Sequence, residues 1–133
     1  MQFTFKKNER ITGEKRIESL FSNGQSFVAY PMRVIFAKSS SSDDLPPVSV
    51  LISVPKKRIK SAVQRNRIKR LIRETYRLNK HLITTEENCR LDVAFVYVKD
   101  ELSDYATVEK GMLKALKFLS EQTKLIEKQQ EQC

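Results

Sequence analysis

Two cysteines and one histidine are all that this chain of 133 residues offers to disulfides or soft metals. Cys89 follows a loop-like stretch, Cys133 is the last residue, and His81 stands apart from both. Such spacing makes no disulfide framework and no zinc site, and it fits a reducing compartment, the cytoplasm. Long hydrophobic runs are missing too. The longest, Val93–Val98, is far short of the roughly 20 apolar residues that span a bilayer, and the opening MQFTFKKNERI lacks the apolar heart of a signal peptide. There is no carboxylate cluster to hold catalytic metal ions and no His–acid pair to activate a nucleophile. Their absence argues against a protein nuclease that works by itself. No internal repeat is present, and nothing calls for a membrane or a protein partner.

What the chain has is charge, unevenly placed. At 40% hydrophobic and 31% charged residues the composition is globular, and the length suits one domain over residues 1–133, with a tail fraying from about 126. The net charge is +9. Between Lys56 and Arg77 stand ten basic residues and one acid, Glu74, whereas the other 111 residues carry fifteen of each sign. A single segment therefore holds the whole excess, which favours a polyanionic partner.

Periodicity gives the frame. Residues 12–24 read as a short helix capped by Thr12, with Ile17, Leu20 and Phe21 on one face and Asn23-Gly24 as a left-handed stop. Ser26–Lys38 is strand-like around Val34, Ile35 and Phe36, with Pro31 placing its first half at an edge or bulge. The stretch SSSSDDLPP reads as a hairpin connection to a second strand, Val48–Val54. Leu91–Val98 makes a third strand, and Thr107–Leu125 a closing helix with Val108, Met112, Ala115, Leu116 and Leu119 on its buried side. The expected fold is an α/β, two-layer α+β sandwich with one small mixed sheet and a basic helix crossing between the strands 48–54 and 91–98.

That helix opens on Ser61-Ala62-Val63-Gln64, a capping box. At 100° per residue, Ile68, Leu71, Ile72, Thr75 and Leu78 gather on one side, opposite Asn66, Lys69, Arg70, Arg73, Arg77 and Lys80. Arg65 falls at the boundary, and Arg67 on the far flank of the apolar stripe. The result is a cationic ridge about 20 Å long. A face kept only for solubility would interleave Glu with Lys at i,i+4. Here like charges are stacked with one acid among them, and arginine predominates, whose fork matches phosphate oxygens. The ridge points to nucleic acid, most simply RNA.

The run Ala62-Val63-Gln64-Arg65-Asn66-Arg67-Ile68-Lys69-Arg70-Leu71-Ile72-Arg73-Glu74, preceded by Ser53-Val54-Pro55-Lys56-Lys57, resembles the signature of the protein subunit of bacterial ribonuclease P. The likeness extends from the helix ending at Phe21 to the closing helix. It implies a left-handed crossover at the basic helix. It also implies a small protein that assists a catalytic RNA in cutting the 5′ leader from precursor tRNA, with Mg²⁺ held mainly by that RNA. Carried over by position, Arg65, Asn66, Arg67 and Arg70 would face the RNA subunit. Phe21, Phe36, Lys56, Lys57, Lys69 and Arg73 would line the groove for the single-stranded leader, where rings and cations suit any sequence. Two positions depart from the pattern: Ile17 stands where an aromatic is common, and Arg58-Ile59-Lys60-Ser61 replaces a loop that usually contains glycine. The residues themselves leave Phe21 and Phe36 open between groove and core. A ribosomal or other structured-RNA-binding protein would also carry such a helix. A DNA-binding helix-turn-helix would need a partner helix where this chain has a strand.

Overall fold

A computed structural model describes residues 14–38, 48–83 and 91–130. Its elements are α1 (Glu14–Asn23), β1 (Gln25–Ala29), β2 (Met32–Lys38), β3 (Val48–Ser53), α2 (Ala62–Asn79), a 3₁₀ turn at Lys80–Leu82, β4 (Leu91–Tyr97) and α3 (Tyr105–Gln130). Thr12, residues 39–47, Cys89 and Cys133 lie outside the described residues. The four strands form one mixed sheet in the order β1-β2-β4-β3. β1 and β2 are antiparallel, β2 and β4 are antiparallel, and β3 runs parallel to β4 with α2 as the crossover. The α+β sandwich read from the sequence is thus present, in three respects differently from expectation.

The stretch 26–38 is two strands, not one. They are joined at Tyr30-Pro31, a cis peptide, and β1 is the sheet edge that Pro31 predicts. The connection from β2 to β3 is not a hairpin, because β4 lies between them. Helix α3 also continues through Gln130, beyond the expected end at 125.

Alternation decides the layers. Val34, Phe36, Val50, Val93, Phe95 and Tyr97 point to the side covered by α2 and α3, where they meet Ile68, Ile72, Val108, Met112 and Leu116. Between them in sequence, Ile35, Leu51, Ala94 and Val96 point to the other side, where Ile17 and Leu20 of α1 rest on them. Helix α1 lies over β2 and β4. Gly24 ends it through closeness: its N–H donates to the Leu20 carbonyl at 2.9 Å. A Cβ there would stand 2.4 Å from that oxygen and 2.9 Å from Ile35 Cγ2. The backbone at Gly24 is not left-handed, so the expected stop is there for a different reason. Helix α3 begins on Asp104, whose carboxylate accepts the Thr107 N–H at 2.9 Å. Hydrogen bonds from Thr107 hold that carboxyl below its ordinary range, as an N-cap does.

Candidate nucleic-acid interface

Helix α2 starts where its sequence says: Ser61 Oγ accepts the Gln64 N–H at 3.4 Å, and Arg65 N–H makes the first turn bond to the Ser61 carbonyl. Its buried stripe is Ile68, Ile72, Thr75 and Tyr76. Helical periodicity places Leu78 inside, but Leu78 is 36% exposed and Tyr76 only 1%. The Tyr76 ring sits 5.9 Å from Phe95, and this packing turns the helix toward it. The rotation rearranges the charges. Asn66, Arg67 and Arg70 become the most outward ridge, together with the exposed Val63. Arg67, expected on a separate flank, joins its neighbours there. Lys69 and Arg73 fall back to a half-buried flank, the one opposite Leu71.

The basic residues do not all face outward with free hands. Arg77 hydrogen-bonds Glu74 through Nη2 and, at 3.2 Å, through Nε. That contact holds the Glu74 carboxyl below its usual range and raises the Arg77 guanidinium. Arg58 Nη1 pairs with Asp100 at 3.0 Å. Arg65 Nη1 donates to two backbone carbonyls, Ile59 at 3.0 Å and Lys60 at 2.8 Å. Arg67 and Arg70 hold no such tie among the described residues. The Nε of Arg73 is buried without a protein partner among the described residues.

Lys56 and Lys57 are exposed on the turn after β3. The Pro55 carbonyl accepts from the N–H groups of Arg58 (3.0 Å) and Ile59 (3.2 Å). Val54 and Ile59, both buried, fasten the two ends of this turn to the core. The two lysines are thus held out between apolar pins.

The aromatic pair divides. Phe21, in the last turn of α1, is 45% exposed and available for stacking. Phe36 is not a groove residue. It is 4% exposed on the side of the sheet covered by α2 and α3. Its ring meets Phe27 edge-on at 5.9 Å and Phe118 at 6.5 Å. Ile35 takes its place on the α1 side, partly buried with Ile17, Ala37, Leu51 and Val96 around Leu20 and Ala94. That face is therefore aliphatic beside one exposed ring. Among the described residues no three His, Cys, Asp or Glu side chains converge on a point that could hold a metal ion, and no helix is long and apolar enough to cross a membrane.

Comparison with known proteins finds relatives of this chain. A family model described as Ribonuclease P matches residues 5–120. A ribonuclease P protein component from Porphyromonas gingivalis is 44% identical over 117 residues, covering 86% of this chain and 85% of its own length. The solved RNase P protein of Thermotoga maritima superposes with a TM-score of 0.66 at 26% identity, over 82% of this chain and 96% of that one. The Staphylococcus aureus RNase P protein gives 0.64 at 24% identity, over 83% and 94%, a likeness of fold.

Proposed function

This chain belongs to the ribonuclease P protein family, and on that premise we propose that its cationic surfaces have separate RNA partners. Its role is that of the protein subunit of a tRNA-processing endoribonuclease. In this reading Asn66, Arg67 and Arg70 dock on the catalytic RNA. Phe21, Lys56, Lys57, Lys69 and Arg73 hold the leader of precursor tRNA, in the cytoplasm. The observation that carries the division is the turn of α2, which sets Arg67 and Arg70 on the open ridge and withdraws Lys69 and Arg73 to a flank. A ridge of unpaired arginines suits a folded RNA's phosphates, whereas a ring with nearby lysines suits a single strand. In the same reading Mg²⁺ is held mainly by the RNA subunit.

Reconstitution with a bacterial catalytic RNA at low Mg²⁺ tests the role directly. Leader release should appear only when protein and RNA are combined under those conditions, and RNA-free protein should leave precursor tRNA uncut at every Mg²⁺ concentration. Specific cleavage by the protein alone would overturn the reading.

Leader binding has its own test. Phe21→Ala should weaken precursor tRNA by about 1–3 kcal/mol for one lost stack. Mature tRNA, which has no leader, and the catalytic RNA should bind as before. Because Phe21 is nearly half exposed, its melting temperature should change little. A loss shared equally by precursor and mature tRNA would remove Phe21 from the groove.

A further inference from the structure

We infer that Arg65 is a positioning residue, which shapes the turn bearing Lys56 and Lys57 from inside the protein and does not bind an RNA phosphate. The inference rests on the leader reading of those lysines. Both hydrogens of Arg65 Nη1 are spent on the carbonyls of Ile59 and Lys60. These are the residues through which the turn enters α2, and neither carbonyl belongs to a helix or strand. A guanidinium can satisfy two adjacent carbonyls with one nitrogen, and it does so here from one helical turn beyond the Ser61 cap. The side chain is half-buried, unlike the exposed Asn66 and Arg67 that follow it.

The rest of the turn shows why a clasp is useful. Its sequence, Pro55-Lys56-Lys57-Arg58-Ile59-Lys60, carries four cations in six residues and has no glycine. Four like charges repel one another and would spread the turn. Opposing this are the Pro55 carbonyl, which takes two N–H groups, the buried Ile59, and the Arg58–Asp100 pair, which ties the turn to the segment after β4. Arg65 closes the remaining side. Arg58 and Arg65 thus tie the turn to the rest of the chain, and Lys56 and Lys57, just ahead of Arg58, are presented outward.

Charge-keeping substitution separates positioning from contact. Arg65→Lys retains the positive charge, so a phosphate contact would largely survive, but an ammonium on a flexible stem does not reproduce a planar fork on two carbonyls. The reconstituted complex is assayed for the ratio of precursor to mature tRNA affinity. The protein is assayed for the salt dependence of binding to the catalytic RNA. Arg65→Lys and Arg65→Gln should both lower the precursor preference several-fold. Both should leave the salt slope at its original value, whereas Arg67→Gln should flatten it by about 0.7–0.9. Lys56→Gln alone should also lower the preference, and combined with Arg65→Lys it should add much less than it does alone, since the lysine is already misplaced. Rescue by Arg65→Lys, a flattened slope in Arg65→Gln, or full additivity with Lys56→Gln would overturn the inference while the leader reading stands. A preference indifferent to Lys56→Gln would overturn that reading and the inference with it. If Arg65→Gln does not fold, Arg65→Lys and its cycle with Lys56→Gln decide the matter.

Discussion

Phe36→Ala should lower stability by about 3–5 kcal/mol, the usual result of removing a buried phenyl ring and leaving its cavity. The ring is closed in by Phe27, Phe118 and the aliphatics of the α2–α3 layer. A domain this size has about 5–15 kcal/mol in total, so the melting temperature should drop by on the order of 10 °C or more. Affinities for precursor tRNA, mature tRNA and catalytic RNA should fall together as folded protein is lost. Phe36→Leu keeps most of the volume and should cost much less, roughly 1.5 kcal/mol or under. Circular-dichroism melts of both variants check this. A stable Phe36→Ala protein with a defect confined to precursor tRNA would return the ring to the groove.

The paired change Arg67→Ala with Arg70→Ala should have the largest effect on assembly. Each guanidinium on the open ridge is placed for charge-assisted hydrogen bonds worth about 1.5–3 kcal/mol. Loss of both should weaken binding to the catalytic RNA by roughly 100- to 10,000-fold at low salt. The slope of log affinity against log salt should flatten by about 1.4–1.8, from two phosphate contacts. Lys114 and Lys117 on α3 are also exposed, and changing them should leave the slope almost unaltered. Filter binding across a salt series reads both sets. Equal slopes from the two pairs would mean that binding follows net charge and not the ridge.

The parts of this molecule that sequence discloses are those set by local chemistry. The start of α2 is written in Ser61 and its cationic character in the missing acids. The edge position of β1 follows from Pro31. Register is harder to read. Val34-Ile35-Phe36 is an unbroken apolar run because α1 covers one side of β2 and α3 the other, so no polar alternation shows which residue faces which layer. Ile35 faces the α1 side, and the larger ring at 36 packs on the side of α2 and α3. The same problem affects α2. Tyr76 and Leu78 are both plausible inner residues, and only the presence of Phe95 opposite Tyr76 decides between them. Arg65 was hidden for another reason. A cation in a row of cations carries no mark that its hydrogen bonds return to the chain's own backbone.

The placing of β4 between β2 and β3 has a consequence for the order in which the protein can be made. Only the β1–β2 pair joins neighbours in sequence; β2 and β3 each wait for the same later strand. Met32 pairs with Tyr97 and Val48 with Leu91. During synthesis the whole basic segment leaves the ribosome before the strand that completes the sheet. Pairings this distant carry a high loop-closure cost and form slowly. For that interval the nascent chain carries ten cations on an unfinished scaffold, beside the ribosome's own RNA. An RNA that engages α2 early would favour the folded state by mass action. Assembly of the ribonucleoprotein can then begin before its protein is complete.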